Sequence, residues 1–129
     1  MKLNSLTPNL MVKNVNDTLD FYQNTLDFQL LQTVPEEGSF DWAFVQKDDV
    51  LIMFQKDTSI REEYPELENY EQGGALTMYI KVADLQKWYE NIKDKTNVIK
   101  PMNKTFYGAN EFAIQDPNGF ILTFSDILT

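Results

Sequence analysis

Phe112-Ala113-Ile114-Gln115-Asp116-Pro117-Asn118-Gly119-Phe120-Ile121-Leu122-Thr123-Phe124 decides how this chain is read, because it spells two strands joined by a tight turn. Pro117 presets its own φ, and Asn118 and Gly119 tolerate the positive φ that a reversal over so few residues demands. Beyond the turn, Phe120, Leu122 and Phe124 alternate with Ile121, Thr123 and Ser125, so one face of the last strand is apolar and the other mixed. The apolar face belongs to a core. The mixed face is where function is to be sought.

The same alternation recurs upstream. Residues 6–12 read as a strand with Leu6, Leu10 and Val12 on one side and Thr7, Asn9 and Met11 on the other. Asn14 or Asn16 can cap the helix that follows, where Leu19, Tyr22 and Leu26 form an apolar stripe at helical spacing with Phe21 at its flank. Residues 29–33 are a second strand and 34–39 a loop, by their Pro, Gly and charge content. Residues 40–46 and 50–55 make a hairpin over Lys47-Asp48-Asp49, with Val50, Ile52 and Phe54 opposite Leu51, Met53 and Gln55. Residues 57–74 are too charged and too interrupted for a core element, and read as a solvated link with room for one helical turn.

The pattern then starts again. Residues 75–82 are a strand, and Asp84 caps a helix carrying Leu85, Trp88 and Ile92 on one side. Residues 98–101 are a short strand and 102–108 a loop with Phe106 and Tyr107, and residues 110–115 and 120–126 close the order. Strand-helix-strand-strand-strand therefore occurs twice in one domain spanning 1–129: a first module at about 1–60, a link at about 61–74 and a second module at about 75–129.

Composition narrows the chemistry. Twenty acidic against eleven basic residues give a formal charge of −9, which argues against a nucleic-acid partner and favours encounter with cations. The chain has no histidine, so a metal site would have to be built from carboxylates and a general base would have to be Asp, Glu, Lys or Tyr. It has no cysteine and therefore no disulfide framework. No apolar run is long enough to cross a bilayer, and the N-terminus opens on a strand-like stretch instead of a signal peptide, so the expected location is cytoplasmic with no membrane partner.

Met11-Val12-Lys13-Asn14-Val15 through Leu19-Asp20-Phe21-Tyr22-Gln23-Asn24-Thr25-Leu26-Asp27-Phe28, then Ile80-Lys81-Val82-Ala83-Asp84-Leu85, then Tyr107-Gly108 through the Asp116-Pro117-Asn118-Gly119 turn, carry a resemblance. Together with the duplicated order, they make the chain resemble the glyoxalase, bleomycin-resistance and extradiol-dioxygenase superfamily, also called vicinal oxygen chelate proteins. The resemblance implies an α+β fold of two βαβββ modules, with curved mixed sheets around a cleft and helices packed outside. One departure is Asp27, where the family commonly has Gly after the first helix and where a left-handed backbone is easiest for Gly.

In the metal-dependent members, a His or Glu ligand sits on the first and last strand of each module. Laid onto this chain, those places fall at Thr7 (or Asn9), Met53, Thr77 and Thr123, none of them a histidine or carboxylate. Hydroxyls and a thioether lack the charge and basicity of such a site. The expectation is therefore no metal, no cofactor and no catalytic residue. The resemblance and the alternation together place Asn9, Met11, Trp42, Met53, Thr77, Tyr79, Phe106, Tyr107, Glu111 and Thr123 around a ligand site, with Phe44 an alternative to Trp42. Apolar walls with a few polar handles suit a small organic ligand.

The reading that results is a non-metal binding protein of the bleomycin-resistance type, a homodimer that sequesters a planar or cationic organic molecule in an aromatic cleft. Two others stand beside it. One is a divergent glyoxalase- or dioxygenase-type lyase or oxidoreductase with an unrecognised metal or base, for which Glu111 and Tyr79 are the candidate groups. The other is an interaction module whose cleft its own side chains fill.

Overall fold

Residues 1–127 are described by the computed structural model. Their elements run β1 (Asn9–Val12), α1 (Val15–Asn24), β2 (Gln29–Val34), β3 (Trp42–Lys47), β4 (Val50–Lys56), α2 (Asp57–Glu63), a 3₁₀ turn (Pro65–Leu67), β5 (Thr77–Lys81), α3 (Leu85–Ile92), β6 (Asn97–Lys104), β7 (Asn110–Gln115) and β8 (Ile121–Ser125). They form two four-stranded mixed sheets, β1-β4-β3-β2 and β5-β8-β7-β6. In each, the first strand runs parallel to the fourth and the remaining neighbours are antiparallel. This is the duplicated α+β order that the alternation predicts. Contacts divide the chain into two compact units, Met1–Gln72 and a second that begins at Gly73.

In the first unit, Asn14 opens α1 by accepting the Asp17 N–H on its side-chain oxygen at 2.9 Å, a cap worth about 1 kcal/mol. The stripe then faces the sheet. Tyr22 is fully buried, with its ring 4.7 Å from Phe54 and 5.6 Å from Phe28, and Leu10, Val12, Ala43, Val45 and Ile52 complete the same core. Asp27 takes φ 64°, the left-handed conformation that its position after the helix requires, and its carboxylate lies 3.6 Å from the Lys47 ammonium. The second unit repeats the scheme with different rings: Trp88 packs edge-on to Phe124 and Tyr89 tilts against Phe112, over Ile114 and Leu122.

Several elements differ from their sequence reading. The first strand begins at Asn9, not at residue 6; Leu6 is exposed, because Pro8 has no N–H to give the ladder and hands over its carbonyl to Met53 N–H instead. The charged link opens with a seven-residue helix, α2, whose Ile60 is buried. One apolar residue in seven was enough to dock it, and it left no stripe to read. β6 extends to Lys104, where a short strand ending at residue 101 is expected, since the register shifts at two places and so absorbs the irregular stretch. Asp84 occupies the cap position of α3 without a side-chain cap hydrogen bond. In the β7–β8 turn, Gly119 takes φ 96° while Asn118 stays at negative φ. Asp116 makes up the difference: its Oδ1 accepts the N–H groups of Asn118 at 2.9 Å and Phe120 at 2.8 Å, closing an Asx-type turn.

Candidate functional site

Each sheet has one face covered by its helix and one that the helix leaves open. The two open faces are registered alike. Met53 in β4 lies opposite Asn9 and Phe44, with Gln55 beside Trp42 and Met11. Thr123 in β8 lies opposite Tyr79 and Ala113, with Ser125 beside Glu111 and Lys81. Period-two alternation thus puts Asn9, Met11, Trp42 and Met53 on the open face of the first sheet, and Thr77, Tyr79, Glu111 and Thr123 on that of the second. Phe106 and Tyr107 come from the loop after β6, ring centroids 5.0 Å apart, and Phe106 is wholly exposed.

The second sheet concentrates the chemistry. Glu111 is 5% exposed. Its Oε2 accepts the Tyr79 hydroxyl at 2.6 Å and the Tyr107 hydroxyl as well. Burial pushes the carboxyl up, but the hydrogen bonds from Tyr107, Tyr79 and Ser125, together with the Lys100 ammonium, outweigh it and hold Glu111 below the usual carboxylate range. The same bond to Glu111, with desolvation and the Tyr79 contact behind it, pushes Tyr107 up to about 12. Asn103 Nδ2 donates to the Glu111 backbone carbonyl at 3.1 Å and ties β6 into the arrangement.

These shifts have opposite signs in pH. The depressed Glu111 pKa contributes stability that is present above the unfolded carboxyl pKa and lost as pH falls through the folded value. The raised Tyr107 pKa contributes stability present below about pH 10, the unfolded phenol value, and lost as pH rises through about 12. Ultraviolet titration of tyrosine ionisation should therefore show the Tyr107 phenol titrating late, near pH 12 in the native protein. Glu111→Gln should return it toward about 10, the value of a free phenol. A native titration curve unchanged by the substitution would break the assignment.

The first sheet carries a neutral counterpart. Asn9 Nδ2 donates to Gln55 Oε1 at 2.8 Å, and Gln55 Nε2 reaches Ser59 Oγ at 3.0 Å and Glu63 Oε1 at 3.1 Å. Gln55 is buried, so these bonds satisfy its amide and fasten α2 to the end of the open face. Trp42 and Phe44 tilt against each other at 6.0 Å on that face. Ser59 and Glu63 escaped sequence reasoning, because a contact eight residues apart across a strand–helix junction leaves no periodicity. Ser125 was legible by alternation; Lys100 and Asn103 were not, owing to the register shifts in β6.

The structure thus gathers Tyr79, Tyr107 and Glu111 into one bonded cluster and ties Asn9 to Gln55. Phe106 meets the cluster through its edge contact with Tyr107. Thr7 precedes β1, and Thr77 stands exposed at the start of β5. The positions that the family resemblance gives to metal ligands therefore hold three hydroxyls and a thioether, a donor set that does not fit a divalent cation. The nearby carboxylate of Glu111 already accepts protein hydrogen bonds. Among the described residues no group of three or more His, Cys, Asp or Glu side chains could hold a metal ion.

A duplicated βαβββ fold with one open face per sheet defines a class, and comparison with known proteins places the chain within it. Residues 2–124 match the model of the glyoxalase/bleomycin resistance protein/dioxygenase superfamily, and the chain belongs to that superfamily. It is 31% identical over 121 residues to a lactoylglutathione lyase of Neisseria meningitidis serogroup A, a match covering 89% of this chain and 84% of that protein. A superfamily member from Sphaerobacter thermophilus superposes with a TM-score of 0.77 at 16% identity, covering 96% of this chain and 97% of the other. A bleomycin-binding protein from Streptomyces verticillus, solved with copper(II)-bleomycin, superposes with a TM-score of 0.66 at 20% identity, covering 96% of each chain. These two structures are similar to this chain in fold.

Proposed function

We propose that this protein binds a small planar or cationic organic molecule on the aromatic open faces of its sheets and sequesters it without chemistry, as a protein of the bleomycin-resistance type. The observation that carries the reading is the donor set: Thr7 (or Asn9), Met53, Thr77 and Thr123 stand where the family resemblance puts the His or Glu ligands of metal-dependent members. Each open face carries rings that can stack on a flat ligand or attract a positive one, and the formal charge of −9 favours encounter with cations. The fold shared with the bleomycin-binding protein of S. verticillus supports the same reading.

A titration panel of bleomycin-like glycopeptides, cationic dyes and neutral aromatics tests it. Tyr79→Ala and Trp42→Ala should each weaken binding by about 0.5–2 kcal/mol, the contribution of one cation–ring contact. Absence of binding by every class would sink the proposal and leave the interaction module.

The 31% identity to a lactoylglutathione lyase favours one second reading, a lyase with an unrecognised metal or base. Metal analysis of protein purified without chelator separates the two: stoichiometric Zn, Ni, Mn or Fe, together with turnover in a lactoylglutathione lyase assay, would replace the binder by the enzyme. A homodimer belongs to the first reading, since open sheets of this type usually pair. Sedimentation at tens of micromolar, roughly a concentration well above ordinary dimer dissociation constants, should show two chains, and a pure monomer would remove this element.

A further inference from the structure

Both phenolic protons of the Tyr79–Glu111–Tyr107 cluster point inward. An ionised carboxylate has no hydrogen to give, so each hydrogen bond at Glu111 Oε2 must be made by the tyrosine O–H. What the two phenolic oxygens can present outward is lone pairs alone. The two tyrosines are 49% and 47% exposed, so a ligand can reach the outward side, whereas Glu111 itself is 5% exposed and covered. The Ser125 hydroxyl lies beside Glu111 in the ladder and accepts the Ile127 N–H at 3.2 Å. The wholly exposed Phe106 ring stands next to Tyr107. The surface that results has two acceptors, one buried negative charge and a bare aromatic ring, with Lys81 and Lys100 on neighbouring strands as its cations.

We propose that the Tyr79–Glu111–Tyr107 cluster is the polar end of the ligand site and reads hydrogen-bond donors, so that the ligand enters with an ammonium, amidinium or guanidinium group and not with a carboxylate or phosphate. This rests on the binding function proposed above and narrows its ligand class. An anionic or acceptor-only group meets lone pairs and a carboxylate, and turning a phenol outward to greet it would strip a hydrogen bond from a buried charge. An N–H cation meets two polarised acceptors, and a flat delocalised cation can in addition lie against the Phe106 ring. Lys100, whose ammonium lowers the Glu111 pKa, stands on β6 opposite Ala113, so a donating ligand group would share the field of this carboxylate with it.

Benzamidine, benzoate and benzonitrile carry the same ring with a donating cation, an accepting anion and a neutral acceptor, and serve as probes. Binding is followed by amide chemical-shift titration at neutral pH, at low salt and at about 0.5 M salt, where screening over about 4–5 Å removes the long-range pull of the net charge. Benzamidinium should bind at least about tenfold more tightly than the other two, and the preference should survive high salt. Glu111→Gln should lower affinity for benzamidinium and raise it for benzoate, because the amide N–H can donate to a phenolic oxygen and free its proton to turn outward. Tyr107→Phe, on an exposed loop, should weaken benzamidinium while leaving benzoate unchanged. Three probes of equal affinity at high salt, or variants that weaken all three alike, would overturn the donor reading and leave a binder. Failure of all three probes to bind, while a member of the titration panel above still binds, would overturn the donor reading alone; failure of the panel as well would overturn the binding function with it.

Discussion

Leu122→Ala should destabilise the protein by about 2–5 kcal/mol, while its neighbour Thr123→Ala should cost little. Leu122 is fully buried on the helix-covered face of β8, flanked in the ladder by Met78 and Ile114. Truncating it leaves a cavity among rigidly placed neighbours, so the loss combines transfer from water with vanished packing. Thr123 points to the open face beside Tyr79 and Ala113, where it is half-buried, and its removal leaves no void in the core. Urea midpoints of the two variants read the difference directly. Similar midpoints would mean that the two faces of β8 are exchanged, and with them the placement of Tyr79, Glu111 and every other residue assigned to the open face.

Gly73→Ala should cost about 2–4 kcal/mol, whereas Gly74→Ala should cost clearly less. Gly73 has φ 87°, a conformation strained for any L side chain, and a Cβ there would lie 2.8 Å from the Asn118 carbonyl oxygen and 3.2 Å from Gly119 Cα. Both are backbone atoms of the β7–β8 turn, which is pinned by the bonds to Asp116, so neither can give way cheaply. At Gly74 φ is 22° and nothing lies within 4 Å of the added carbon. Thermal or urea unfolding of the two variants tests this. Equal stability would mean that the chain at Gly73 does not approach the turn as described.

Local rules carried the sequence a long way where they were redundant. The alternation in β8, the stripe of α1 and the Asn14 cap each involve neighbours within a few residues, and the core they predict is the core that forms. The Asp-Pro-Asn-Gly turn was legible for the same reason, although its positive φ falls on Gly119 alone. Local rules failed at α2, where a helix is held by one buried isoleucine and by bonds from Gln55, and at β6, where bulges shift the period-two pattern.

The sequence by itself determined which donors are at hand: the chain has no histidine and no cysteine, and the family resemblance puts Thr7 (or Asn9), Met53, Thr77 and Thr123 at the ligand positions, so the donor set there is decided by residue identity alone. Alternation also put Tyr79 on the mixed face of its strand, with Glu111 within reach from a neighbouring one. What it could not determine was that Glu111 would be buried and clamped by Tyr79 and Tyr107. That arrangement brings together a residue 32 positions away and one from a loop, through the pairing of β5, β8 and β7 and the return of the loop after β6. Alternation states which way a side chain points; only the tertiary structure decides whose hydroxyl it meets, and so whether a carboxylate is free for a ligand or already spoken for.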